Sequence, residues 1–209
     1  MNILIVAAHP DDELLGCGGT IARLSREGHS VFVAILGEGV TSRFERRDQA
    51  DRKLIQALQD SIRKVGQMLG VKDLTFYQLP DNRFDTVPLL DIIKPIETLI
   101  MDLKPQVVYT HHGGDLNIDH AIINGAVLIA TRPPAASTVK TVYAFEVVSS
   151  SELTFQSLNP VFRPNTFIDV SETLETKIEA MKIYETEIRI YQEDFTDLSY
   201  LTQKLAYTY

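Results

Sequence analysis

Short runs of consecutive apolar residues alternate along the chain with segments of helical periodicity. Such runs are typical of strands buried on both faces. Their alternation with helical segments predicts an α/β domain with a mostly parallel central sheet and helices on both of its faces. The five predicted strands are ILIVAA (3–8), VFVAIL (31–36), LTFYQL (74–79), QVVYT (106–110) and TVYAFEVV (141–148), and TFIDV (166–170) is a candidate sixth.

Apolar residues three and four positions apart predict the helices between these strands. The second helix has the clearest pattern, because Ile55, Leu58 and Ile62 fall on one face that continues to Leu69, and Gly70 ends it. The predicted helices cover residues 14–27, about 48–69, about 92–103, 121–131 and, capped by Ser171, 171 to about 189.

Two clusters of polar residues follow strands of the predicted sheet. His9, Asp11, Asp12 and Glu13 come directly after the first strand, and the segment 111–120 follows the fourth. In parallel sheets, ligands bind beyond the carboxyl ends of the strands. We therefore expect both clusters to open onto the same edge of the sheet and to form one site.

The first cluster is acidic where a dinucleotide-binding turn would receive phosphate, so it favours a cation. His9, Asp12 and His120 would make a three-ligand set with one open position, the usual arrangement of a catalytic zinc. Asp11 would then stand beside the metal, where a carboxylate can accept a proton from water. Helix capping explains either cluster alone about equally well, since Asp is a good N-cap. The two clusters together favour the metal.

Composition limits the other functions. The 209 residues fit a single domain, 1–209, and the formal charge of −8 argues against binding to nucleic acid or to anionic membranes. The sequence contains no uninterrupted run of eighteen apolar residues, so no transmembrane segment is predicted. Cys17 is the only cysteine, which excludes an intramolecular disulfide and fits a reducing, cytoplasmic location. A homo-oligomer is left open.

Four motifs carry a resemblance to a known family: AHPDDE (8–13), GCGGT (16–20), LPDNRFDT (79–86) and DLNIDH (115–120). With them the chain resembles the zinc-dependent de-N-acetylases of the PIG-L / LmbE-like family. The resemblance implies a Rossmann-like three-layer fold and removal of the acetyl group from an N-acetylated sugar, typically an N-acetylglucosamine unit in a conjugate. The cofactor would be Zn²⁺, with Fe²⁺ as an alternative because a His₂–Asp set binds both.

The resemblance also implies roles by position. His9, Asp12 and His120 would hold the zinc and its nucleophilic water, and Asp11 would be the general base. Asp119, next to the third ligand, would be an orienting carboxylate. Asn117 stands where several members of the family have a histidine that assists the oxyanion or the leaving group. Asparagine donates hydrogen bonds but carries no charge, so either Asn117 acts as a neutral donor or a histidine at 111 or 112 replaces it.

Substrate-binding residues are less well defined by the sequence. The family tends to carry an arginine early in the second helix, and the candidates are Arg43, Arg46, Arg47 and Arg83. Of these we prefer Arg43 and Arg83, together with His112.

Two other hypotheses compete with the deacetylase. One is a Rossmann-like module that binds a sugar or nucleotide sugar without turnover. The other is a metal-dependent hydrolase of a different amide or ester.

Overall fold

A computed structural model describes residues 1–133, 138–148, 150–154 and 160–184. All five predicted strands are present in it. They are β1 (Asn2–Ala7), β2 (Ser30–Gly37), β3 (Asp73–Leu79), β4 (Val107–His111) and β5 (Thr141–Phe145). Every pairing is parallel, and the order across the sheet is β3-β2-β1-β4-β5.

Helices cover both faces of this sheet. They are α1 (Asp12–Arg26), α2 (Arg52–Leu69), α3 (Leu89–Leu103), α4 (Ile118–Ala130) and α5 (Leu174–Met181). One apolar core joins the sheet to α1, α2 and α5, and a second core on the opposite face joins it to α3 and α4. The predicted three-layer α/β architecture is therefore confirmed. No described helix is both long enough and apolar enough to cross a membrane.

The central strands β1 and β4 create the crevice that holds the polar clusters. They are adjacent in the sheet, with Ile3 opposite Val107 and Ile5 opposite Tyr109. The helix after β1 packs on one face of the sheet, and the helix after β4 packs on the other. The chain therefore leaves the two strand ends in opposite directions, which is the topological switch point where α/β sheets bind ligands.

The second helix begins later than the pattern predicts. It starts at Arg52 rather than near Asp48, because the side chain of Asp51 accepts a hydrogen bond from the Lys53 amide at 2.8 Å and caps the helix there. The residues before it form two 3₁₀ turns, Thr41–Arg43 and Arg47–Gln49. This segment is therefore a loop at the carboxyl edge of the sheet.

The prediction of a sixth strand at 166–170 is wrong, since this segment is described and has no strand pairing. The polar groups of Asp169 form hydrogen bonds outside the sheet. The Arg23 side chain donates to the Asp169 carbonyl at 2.7 Å, and the Asp169 carboxylate accepts from the amide and hydroxyl of Ser171. These bonds form a turn, so the last helix begins at Leu174 instead of Ser171. Its predicted end near residue 189 lies outside the described residues.

The glycine at position 16 should be needed for packing between α1 and β5. A Cβ atom at Gly16 would lie 2.3 Å from Cδ2 of Phe145, whose ring also packs on His111. We expect Gly16→Ala to lower the free energy of unfolding in urea by about 1–3 kcal/mol through overpacking. Gly125→Ala is the matched control, because no described atom lies within 4 Å of its added Cβ. It should raise that free energy by about 0.5–1 kcal/mol, since alanine favours the helix. Equal effects of the two substitutions would contradict the packing argument.

Candidate metal centre

The two polar clusters meet at the ends of β1 and β4. Nδ1 of His9 lies 3.3 Å from Oδ2 of Asp12, and Nε2 of His120 lies 3.2 Å from the same oxygen. One ligand atom from each of the three residues falls within 4.8 Å of the others. In a tetrahedral site with bonds of about 2.0–2.1 Å, ligand atoms are about 3.3 Å apart. The observed spacing therefore suits one small divalent ion.

A carboxylate lies beside the other nitrogen of each ring. Nε2 of His9 contacts Oδ2 of Asp119 at 2.9 Å, and Nδ1 of His120 lies 3.1 Å from Oδ1 of Asp115. Outer carboxylates of this kind fix the tautomer and the orientation of metal-binding histidines. They leave Nδ1 of His9 and Nε2 of His120, the two nitrogens beside Asp12, for an ion. Asp119 thus faces His9, rather than its sequence neighbour His120.

The carboxylate of Asp115 is built into a network that sequence reasoning missed. It accepts hydrogen bonds from the hydroxyls of Ser150 and Ser151 and from the Asn117 amide. Burial opposes its ionisation, but His120 and the two serine hydroxyls outweigh this and lower the pKa of Asp115 to about 2. An ionised Asp115 therefore faces His120 from the side opposite to Asp12.

Buried ring nitrogens support the presence of an ion. Within the described ranges, neither nitrogen of His120 makes a hydrogen bond of acceptable geometry, although both lie close to carboxylates and the ring is 2% exposed. Buried polar atoms are rarely left in this state, because the desolvation penalty is not repaid. A cation between Asp12 and the two histidines would satisfy Nε2 of His120, so the residues fit the metal that the sequence predicts.

The pKa values describe a strongly negative site. Burial disfavours protonation of His9, but hydrogen bonds to Asp119 and Asp12 outweigh it and raise its pKa to about 10. Burial is likewise overcome at His120, where Asp12 and Asp115 raise the pKa to about 9. At Asp12 burial would raise the pKa, yet the adjacent His120 holds it well below its usual value. Two positive charges are therefore favoured here, and a dication would supply both.

The two histidines at the end of β4 have different surroundings. His111 is fully buried, stacks on His120 with ring centroids 4.0 Å apart, and accepts a hydrogen bond from the Ala8 amide at Nε2. Burial lowers its pKa well below the usual value, so the ring is neutral. His112 donates from Nε2 to the Pro160 carbonyl at 2.7 Å and packs edge-on against Phe162. His112 therefore packs against the segment at 160–162, and its role in substrate binding stays a prediction.

Asn117 caps α4. Its side-chain oxygen accepts a hydrogen bond from the Asp119 amide at 2.9 Å, and its amide nitrogen donates to Oδ1 of Asn82 at 3.0 Å. Residues of the 111–120 cluster therefore cap a helix and also supply a candidate metal ligand, so the two explanations are compatible. Asn117 links the β4–α4 turn to the loop at 80–88.

That loop also brings an aspartate that sequence reasoning did not select. Oδ1 of Asp81 lies 3.4 Å from Nε2 of His9, and Oδ2 accepts hydrogen bonds from the amide and hydroxyl of Ser42. His9, Asp81 and Asp119 form a second group with metal-binding spacing. Because Nε2 of His9 already contacts Asp119 at 2.9 Å, we interpret this group as the outer support of His9.

The preferred arginines lie beside the joined loops. Arg43 and Arg83 are both exposed; Arg43 follows Ser42 in the chain, and Arg83 is two residues after Asp81, the partner of Ser42. Their role in substrate binding stays a prediction. Arg47 instead forms a bidentate ion pair with Glu38, with both contacts at 2.7 Å.

The fold and site together define an α/β protein with a His₂–Asp group that could hold a metal at the switch point of its sheet. The model of one family, described as GlcNAc-PI de-N-acetylase (PIG-L), matches residues 4–131. This match covers more than half of the chain, and the protein belongs to that family.

The individual relatives described next share less than a third of their residues with this chain. The chain is 28% identical to an uncharacterized deacetylase, YaiS, of Escherichia coli K12, over 87% of this chain and 89% of the relative. It is 23% identical to the diacetylchitobiose deacetylase of Thermococcus kodakarensis, over 94% and 73% of the two chains. The crystal structure of the 4-carboxy-2-hydroxymuconate hydratase GalB from Pseudomonas putida KT2440 superposes with a TM-score of 0.73 at 20% identity, over 98% and 82%. This structural likeness confirms the fold.

The orienting role of Asp115 can be tested through metal affinity. We expect Asp115→Asn to weaken Zn²⁺ binding by about 10–100-fold, the usual cost of losing an outer carboxylate. Competition against a chromophoric chelator measures this affinity directly. Asp91→Asn, an exposed aspartate in the first turn of α3, is the control and should bind Zn²⁺ like the unmodified protein. Unchanged affinity in Asp115→Asn would show that Asp115 does not support a metal ligand.

Proposed function

We propose that the protein is a metal-dependent hydrolase that removes the acetyl group from an N-acetylated sugar of the N-acetylglucosamine type. The observation that carries this proposal is the convergence of His9, Asp12 and His120 around one point, with the Asp11 carboxylate next to it in the chain. Membership of the de-N-acetylase family supports it, as do the names of relatives that act on acetylated sugars.

Zn²⁺ is the proposed metal, and Fe²⁺ is the alternative that the same ligands admit. His9, Asp12 and His120 would hold the ion, and Asp119 and Asp115 would orient the two rings. When bound, the ion supplies Lewis acidity to the acetamide carbonyl and to water at neutral pH.

Asp11 is the proposed general base. It is half-buried at the N-terminus of α1, directly before the ligand Asp12. The carboxylate would take one proton as a water oxygen bonds to the acetyl carbon, and would return that proton to the sugar nitrogen as the carbon–nitrogen bond breaks. The products are acetate and the free amine, so one group acts first as base and then as acid.

Asn117 is proposed to assist as a neutral donor. Its amide nitrogen carries two hydrogens, and the contact with Asn82 uses one of them. The other is available to the negative charge that develops on the carbonyl oxygen. We favour Asn117 over the histidines at 111 and 112, since burial lowers the pKa of His111, whose ring stacks on His120, and His112 donates to the Pro160 carbonyl.

The fold alone does not decide between the competing functions, because it is shared with a hydratase. A module that only binds sugars has no need of a metal, yet the described site contains three converging ligands with outer carboxylate support. We therefore favour the hydrolase over the binding module.

The proposal also includes a cytoplasmic location, where the buried thiol of Cys17 would stay reduced.

Acetate release from a panel of sugars tests the proposal. The panel contains N-acetylglucosamine conjugates, their O-acetyl counterparts and a simple acetamide, each with metal-loaded and chelated protein. We expect release from the N-acetyl sugars with the metal-loaded protein alone. Release from O-acetyl sugars only would identify a different hydrolase, and no release from any substrate would contradict the proposal.

The base can be tested separately from the metal. Asp11→Asn keeps the backbone shape, since asparagine tolerates a left-handed conformation at least as well as aspartate, but it cannot accept the proton. We expect turnover to fall by about 10²–10⁴-fold with metal content unchanged. Asp85→Asn, an exposed aspartate in the turn at 84–86, should keep normal turnover. Normal hydrolysis by Asp11→Asn would exclude Asp11 as the base.

A further inference from the structure

The backbone of Asp11 has an unusual conformation. Its φ of 97° and ψ of −28° lie on the left-handed side, which residues with a side chain rarely adopt. This conformation turns the chain so that the His9 amide donates to Oδ2 of Asp12 at 2.8 Å, and the Asp11 carbonyl accepts the amides of Leu14 and Leu15. Rare backbone conformations persist at functional sites only where their surroundings hold them in place.

The side chain of Glu13 provides one such restraint. Its Oε2 accepts a hydrogen bond from the Asp11 amide at 3.1 Å, and the residue is 2% exposed. Amides at a helix N-terminus lie outside the backbone hydrogen bonds of the helix and are commonly bound by side chains. Glu13 therefore binds the backbone of Asp11 directly.

A tyrosine from the far end of the chain fixes Glu13 in turn. The Tyr184 hydroxyl donates to Oε1 of Glu13 at 2.7 Å, and Tyr184 is 1% exposed. Two further buried bonds attach this part of the chain to α1: Lys177 donates to the Leu15 carbonyl and Thr173 donates to the Gly19 carbonyl, both at 2.8 Å. These bonds fix the position of the Tyr184 hydroxyl next to Glu13.

Packing alone does not explain this pair. The surrounding core is apolar, with Leu14, Ala180 and Met181 among its buried members. An ionisable group in such a core costs stability unless it is fully hydrogen-bonded, and an apolar pair of similar volume would fill the space without that cost. What an apolar pair would lose is the acceptor for the Asp11 amide.

We propose that Glu13 and Tyr184 are positioning residues that hold Asp11 in its left-handed conformation and so place its carboxylate. The proposal rests on the proposed role of Asp11 as the base. It assigns a function to a part of the chain beyond residue 131, where the family match ends. No described hydrogen bond or ion pair joins either side chain to the candidate ligands, so we expect both to act through Asp11.

Removal of the tyrosine hydroxyl is the first test. We expect Tyr184→Phe to lower kcat by about tenfold, the factor that one buried hydrogen bond represents, with KM and Zn²⁺ stoichiometry unchanged. Tyr109→Phe is the matched control, because Tyr109 is also a buried tyrosine of the same core, on β4. Its kcat should stay normal. An equal fall of kcat in both variants, or a change in KM alone, would overturn the proposal.

Substitutions of Glu13 provide a rescue test. In Glu13→Gln the amide oxygen can still accept from Asp11, while the amide nitrogen donates to the tyrosine oxygen, so we expect kcat within about threefold of normal. Glu13→Leu keeps a similar volume without an acceptor, and kcat should fall by more than about tenfold. If Glu13→Gln were as slow as Glu13→Leu, hydrogen bonding to Asp11 would not be the function of this residue.

Hydrogen exchange separates this proposal from the proposed function. The amides of residues 8, 9 and 11–13 should exchange faster in metal-loaded Tyr184→Phe than in metal-loaded Tyr109→Phe, whether or not acetate is released. Equal exchange in the two variants would overturn the positioning role. If the unmodified protein released no acetate, faster exchange in Tyr184→Phe would still support the positioning role, and the missing acetate release would refute the proposed function. The same comparison between Glu13→Gln and Glu13→Leu decides the matter if Tyr184→Phe does not fold.

Discussion

Negative charge buried at one edge of the sheet is the constraint on which this structure depends. Four aspartates there are each at most 5% exposed: Asp12, Asp81, Asp115 and Asp119. Carboxylates in such positions are stable only when other groups neutralise or solvate them. In the ion-free chain, protonated His9 and His120 supply that neutralisation, which is why their pKa values rise despite burial. A divalent ion carries the same two charges, so the fold is already suited electrostatically to receive it.

The same charge organises the loops around the site. Each outer carboxylate takes hydrogen bonds from a different segment of the chain: Asp119 from the Phe84 amide, Asp81 from Ser42, and Asp115 from Ser150 and Ser151. These segments follow β2, β3 and β5, while the ligands follow β1 and β4. Three loops at this edge of the sheet are therefore attached to the carboxylates that would orient the candidate metal ligands.

The sequence could predict what depends on short-range pattern. Apolar runs and helical spacing predicted the five parallel strands, and the rule for parallel sheets brought His9 and Asp12 to His120. Contacts between distant segments could not be predicted in this way. Asp115 is in the motif DLNIDH, but only the fold places it against Nδ1 of His120. Nothing near Tyr184 in the sequence points to Glu13, whereas the sequence from 166 to 170 looks like a strand and is instead held in irregular structure by Arg23.

Because one fold serves a hydratase as well as deacetylases, the fold alone cannot specify the reaction. The proposed hydrolase would need a carboxylate held beside the ligands, and the candidate for this role, Asp11, has a rare backbone conformation. A flexible base would lose much of the advantage of proximity, which requires the reacting groups to be held in near-attack geometry. In the proposed arrangement the bonds from Tyr184 to Glu13 and from Glu13 to Asp11 would supply that rigidity, and Tyr184 lies outside the segment that the family match covers. The reaction would then depend on how the second half of the chain packs against α1, as well as on the motif that holds the metal.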